Sequence, residues 1–149
     1  MQIFTYDRDE HAVTGYDSVA LHATRIAQFT DYARATCLTV GPDGLIGTHP
    51  AGSHQVLLIV AGSGWVSGGD GVRVPVSAGQ GVYWEPGEVH TTGSEHGLTA
   101  IALEGGPVSL FEPESNPEPE SEPGHRAEQA TAAGGASAPD ASNTSDTRK

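Results

Sequence analysis

Residues 55–65 read Gln55-Val-Leu-Leu-Ile-Val-Ala-Gly-Ser-Gly-Trp65, and this run decides the fold class. From Val56 to Ala61 every side chain is apolar, so no polar face alternates with a greasy one. A short apolar run bounded by turn residues is the pattern of a strand covered on both sides. It predicts a central strand between two layers, closed at Gly62-Ser63-Gly64 by a turn. Outward from it, further strand candidates recur at 2–6, 19–26, 33–40, 45–49, 64–67, 72–76, 81–85, 90–92 and 98–103. The connectors carry explicit turn chemistry, as in Pro42-Asp43-Gly44, Gly68-Gly69-Asp70-Gly71 and Pro86-Gly87. Only residues 31–35 hint at a helix, and they run directly into the strand pattern ATCLTV. Many short strands without intervening helices predict an all-β sandwich or barrel.

The composition changes at about residue 112. Residues 112–149 hold no aromatic, Leu, Ile, Val or Met, and five of the ten prolines. Such a segment buries too little apolar area to offset the entropy of ordering it, so a disordered acidic tail is expected. Residues 1–111 form the expected domain. They carry eleven acidic and four basic side chains, a charge of -7, and the whole chain carries -12. That surplus argues against nucleic acid and anionic lipid as partners, since both need a cationic surface. No apolar stretch nears the roughly 20 residues that span a bilayer. The start, MQIFTYDRDEH, lacks the basic and then greasy residues of a signal peptide. Cys37 is the single cysteine, which excludes an internal disulfide and makes the cytoplasm the expected compartment. Its apolar strand context predicts an inert buried thiol.

Site-like signal is confined to two histidine-bearing segments. One runs from Gly47 through His49 and His54 to Trp65, the other from Gly79 through Tyr83, Trp84 and Glu88 to His90. Imidazoles on rigid strands converging in a barrel mouth can hold a first-row transition metal. His49 and His90 stand 41 positions apart, so a shared site requires the fold to join them. His11, His22, His96 and His125 lie in polar or terminal contexts and read as surface residues. Glu88 is a candidate general acid or base if burial raises its pKa. Tyr83 and Trp84 are adjacent on a strand, so one faces the pocket and the other packs outside.

These segments resemble the cupin family, small jelly-roll barrels built as a double-stranded β-helix. The first cupin motif, G(X)5HXH(X)3–4E(X)6G, places its two His on His49 and Ala51, its Glu on Gln55 and its closing Gly on Gly62. The second, G(X)5PXG(X)2H(X)3N, opens on Gly79, meets Gly87 and His90 in place, and has Ser94 for the Asn. The similarity spans residues 35–104, and Glu85-Pro-Gly-Glu-Val-His90 looks like a version found in short single-domain bacterial cupins. The resemblance implies a metal set of three His and one Glu, of which this chain keeps His49 and His90. Ala51 has no donor atom, and Gln55 offers a neutral amide oxygen in place of a carboxylate. His54 is the alternative third imidazole, but its side chain points opposite to that of Gln55.

The resemblance implies a small-molecule-binding cupin, with a divalent metal (Fe, Mn, Ni or Zn) held by His49, Gln55 and His90, and the lack of Lys and Arg in the two motif segments points to a small neutral or apolar ligand. A second reading is a non-haem metal enzyme (dioxygenase, isomerase or lyase), in which Glu88 or Tyr83 handles protons. The third is a sensory or structural module whose histidines are relics. The resemblance also implies pairing into a homodimer through an N-terminal strand or sheet face, a role for which Ile3-Phe4-Thr5-Tyr6 has the β-branched and aromatic character.

Overall fold

The computed structural model describes residues 1–8 and 10–111; the expected disordered tail, 112–149, lies outside the described residues. The central apolar run forms β7 (His54–Ser67), the longest strand, and the rest of the fold is arranged on it. Its first half pairs with β9 (Gln80–Trp84) and β11 (Leu98–Gly105), with Gln55 opposite Trp84 on one side and Glu104 on the other. Beyond these lie β1 (Gln2–Thr5), paired with β9, and β5 (Ala33–Val40), paired with β11. The second half of β7 leaves this sheet and pairs with β8 (Arg73–Ser77) and β10 (Val89–Ser94). β10 in turn pairs with β6 (Gly44–Pro50). Two antiparallel sheets thus share one strand, the wrapped jelly-roll arrangement expected from the sequence.

Residues 62–64 are the hinge of that arrangement rather than the expected turn, because β7 runs through them unbroken. Gly62 has φ +75°, and a Cβ there would stand 2.3 Å from the Gly97 carbonyl oxygen. Only glycine meets both demands, the left-handed backbone and the close approach of a second chain segment. Two further departures concern the flanks. The expected strand 19–26 shortens to β3 (Leu21–Ala23), and a separate strand, β4 (Ala27–Phe29), begins just beyond its end. Both recruit partners too short to show a periodic signal: β2 (His11–Val13) and β12 (Val108–Leu110).

The core lies between the sheets. Leu57 and Ile59 from β7 meet Val82 and Trp84, Leu98, Ala100 and Ala102, and Val66 and Val76 from the second sheet, all buried. The alternate residues Val56 and Leu58 are buried too, as a strand covered on both sides requires, whereas Val60 is 46% exposed. Cys37 departs from expectation. It sits on the edge strand β5 with its side chain outward, and it is exposed. The neighbours that made its context apolar, Leu38 and Val40, point the other way, into the barrel. β1 is used within the chain: Gln2 to Thr5 pair with Tyr83 to Gln80, and a Cβ on Gly81 would collide with the Phe4 ring. Among the described residues no helix is long and apolar enough to cross a membrane.

Candidate functional site

His49 and His90 face one another across neighbouring strands, as direct partners in the β6–β10 register. Their ring centroids are 4.4 Å apart. From His90 to Thr92 is two steps on β10, while the matching stretch of β6, from His49 to Ile46, takes three. The extra residue is a β-bulge, which re-aims side chains. Without it, positions 46 and 49 would face opposite sides; with it, both Ile46 and His49 line one cavity.

That cavity has a volume of about 200 Å3. Its polar lining is His49, His90, Gln55, Thr36, Thr92 and Glu104, and Leu38, Ile46, Leu57 and Ala102 supply an apolar wall. His90 is deep, 2% exposed, with the Trp84 indole stacked on it at 4.2 Å. His49 is at the rim and exposed. Each ring is fixed by its Nδ1. In His49 it lies 2.6 Å from the Gly47 carbonyl oxygen, and in His90 it lies 3.1 Å from that of Glu88. A carbonyl can only accept, so both Nδ1 atoms carry the proton, and in the neutral form of each ring Nε2 is left as a bare acceptor. Burial holds the His90 pKa below its ordinary value of 6.5; the Glu88 carbonyl opposes this shift and the neighbouring His49 adds to it. At neutral pH His90 is therefore an uncharged base.

Gln55 completes the floor. It is 8% exposed, yet its amide makes no hydrogen bond among the described residues. The loop carrying Ala51, the position without a donor, is tied to the second segment by its backbone. The Ala51 N–H donates to the Glu88 carbonyl at 2.9 Å, and the Gly87 N–H donates to the Ala51 carbonyl at 2.8 Å. The Glu88 carbonyl thus braces both this loop and His90.

The two catalytic candidates lie elsewhere. Glu88 is not among the cavity's lining residues. Its carboxylate accepts from the amino group of Met1 and, at 2.7 Å, from the Glu85 N–H. Those bonds hold its pKa below the carboxylate range despite partial burial, the opposite of what a general acid at neutral pH needs. Tyr83 takes the outer face because its neighbour Trp84 is fully buried inside. There its hydroxyl bonds His54 Nδ1 at 2.7 Å, and partial burial, with Glu85 and Glu88 nearby, raises its pKa. His54 is thereby outside as well, as the alternation from Gln55 predicts.

Glu104 is the lining residue that sequence reasoning missed. The expected strand ended at Leu103, but β11 continues to Gly105, and Leu98, Ala100, Ala102 and Glu104 share its inward face. Extending that alternation by one residue would have found it. Glu104 Oε2 accepts from the Arg34 guanidinium at 2.7 Å; the Arg34 side chain is 72% exposed, that of Glu104 only 25%.

Two larger hollows, of about 310 and 340 Å3, share Trp65, Arg73 and Glu95 outside the barrel. Arg73 stacks on the Trp65 ring at 3.9 Å. The smaller cavity is the one that brings the two motif histidines and Gln55 together.

Residues 40–112 match the family described as the AraC-like ligand binding domain. Among solved structures, the chain is similar to a Cupin 2 conserved barrel domain protein from Salinispora arenicola, at 22% identity and TM-score 0.44, covering 52% of this chain and 71% of that one. It is also similar to an RmlC-like cupin from Shewanella frigidimarina, at 22% identity and TM-score 0.46, covering 52% and 72%. A third is an RmlC-like cupin family protein with a double-stranded β-helix fold from Methanocaldococcus jannaschii, at 13% identity and TM-score 0.48, covering 55% and 77%. No curated protein sequence matches this chain closely enough to count as a relative.

Proposed function

We propose that the barrel is a cupin-type ligand-binding domain and that the cavity between its sheets binds a small molecule, centred on His49 and His90. One observation carries this reading: the Gln55 side chain and the imidazoles of His49 and His90, each ring held through its Nδ1, converge on a single cavity. A concave site with a few convergent polar groups beside an apolar wall is the usual form of a small-molecule pocket.

A divalent transition metal (Fe, Mn, Ni or Zn) is the second reading. The Nδ1-to-carbonyl bonds favour it, since metal-bound histidines commonly donate their other ring N–H in this way. The donor count limits it: among the described residues no three His, Cys, Asp or Glu side chains form a metal-holding group. What fits is an open site, with His49, His90 and the Gln55 amide oxygen as ligands and the remaining positions left to water or substrate. A bound ion would supply Lewis acidity. Neither Glu88 nor Tyr83 lines the cavity to move a proton, which ranks binding above turnover.

The test is a thermal-shift screen of small polar molecules on metal-free full chain, run in parallel on His90→Leu. A ligand at about 100 times its Kd adds about 2.7 kcal/mol of stability. Compounds that stabilise the parent and not His90→Leu support the reading; a screen in which no compound separates the two proteins rejects it. Elemental analysis after loading with Fe(II), Mn(II), Ni(II) or Zn(II) decides the second reading, with near-stoichiometric metal in the parent and none in His49→Ala.

A further inference from the structure

If the cavity is a small-molecule site, as proposed above, its lining also says what kind of molecule it takes. We infer that the ligand is a small organic amine, bound as its ammonium ion with Glu104 as its charged anchor.

The polar groups aimed into the cavity are predominantly acceptors. His49 and His90 each present a bare Nε2, because their Nδ1 protons are committed to the Gly47 and Glu88 carbonyls. Glu104 brings a carboxylate, of which only Oε2 is engaged, while Oε1 makes no hydrogen bond among the described residues. Gln55, Thr36 and Thr92 can each accept as well. No Lys or Arg is among the lining residues.

An ammonium group answers this set with three N–H donors and a positive charge. Its charge-assisted bonds to a carboxylate are stronger than those of a neutral hydroxyl. The apolar part of the lining, Leu38, Ile46, Leu57 and Ala102, suits a short hydrocarbon body. A carboxylate ligand meets the reverse situation. The one guanidinium at the rim, Arg34, is bonded to Glu104 and largely exposed to water, which screens its charge. The charge of -7 over residues 1–111 adds a field that draws cations and repels anions.

Glu104 stands directly opposite Gln55 in the β7–β11 register and opposite Arg34 in the β5–β11 register. It therefore occupies the line between the cavity floor and the solvent. Arg34 engages one carboxylate oxygen of Glu104 and leaves the other for the ligand.

The test uses metal-free full-chain protein and three matched probe sets: propyl-, butyl- and pentylammonium, the corresponding alcohols, and the corresponding carboxylates. Binding is followed by calorimetry and by the histidine ring resonances. The ammonium set is expected to bind, with the alcohols at least about tenfold weaker and the carboxylates absent. Glu104→Gln should weaken ammonium binding about tenfold or more, whereas Arg34→Ala should leave it unchanged or tighter. Equal or better binding of alcohols or carboxylates that shifts the His49 and His90 resonances overturns the amine inference and leaves the binding-site reading standing. Carboxylate binding lost in Arg34→Ala would make Arg34 the anchor instead. Silence of both histidines towards all three sets overturns the amine inference; if the wider screen is silent too, the binding-site reading falls with it.

Discussion

His49, Gln55 and His90, which the resemblance to the cupin motifs singles out, line one cavity, so their common location was legible in the sequence. Tyr83 and Glu88 illustrate the limit. Both sit in the right segment, but a strand's parity decides which of two neighbours faces inward, and only the burial of Trp84 fixes it. Glu88 shows in addition that a carboxylate's pKa follows its partners, here an amino group 87 positions away in sequence. The buried, neutral His90 has a consequence for stability. Its pKa is lowered in the folded state from 6.5, so the unfolded chain binds more protons as pH falls below about 6.5. Stability is therefore full above that value and declines as pH drops towards the folded-state pKa, by at most about 1.4 kcal/mol per pH unit for one group. Urea midpoints measured between about pH 7.5 and about pH 5 should show this decline in the parent chain and a shallower one in His90→Gln. Parallel slopes would mean that His90 does not carry the effect.

At the scale of elements, β7 explains both what could be read and what could not. Its unbroken apolar character announced a strand covered on both faces, and Val56 through Ile59 are buried accordingly. The glycines after it were read as a turn because local chemistry cannot distinguish a reversal from a strand that changes sheets. That distinction belongs to the partners, β9 and β11 before the hinge, β8 and β10 after it. The bulge on β6 is likewise invisible from one strand alone, yet it brings Ile46 and His49 to the same cavity. The hinge carries a measurable cost. Gly62→Ala forces a Cβ into the left-handed region and to within 2.3 Å of a backbone oxygen. It should destabilise the protein by about 2 kcal/mol or more in urea titrations. A change below about 0.5 kcal/mol would mean that the hinge relaxes without resistance.

At the scale of the whole molecule, the all-β class and the jelly-roll wrapping were readable from strand spacing and motif glycines, as was the compositional break near residue 112. Exposure was not, as Cys37 shows: an apolar strand at a sheet edge still turns half its side chains to solvent. The site draws on both sheets, with His49 and His90 from β6 and β10, and Thr36, Gln55 and Glu104 from β5, β7 and β11. Its existence is thus a property of the closed barrel and not of any one motif. The central claim is that this closure presents two bare imidazole Nε2 atoms to one cavity. Long-range 1H–15N NMR of the histidine side chains in the metal-free protein, above about pH 7.5, tests it most directly. The account predicts that His49 and His90 both appear as Nδ1–H tautomers, and that both shift when a stabilising ligand is added. An Nε2–H tautomer at either position, or rings that stay silent while a ligand binds, would contradict it.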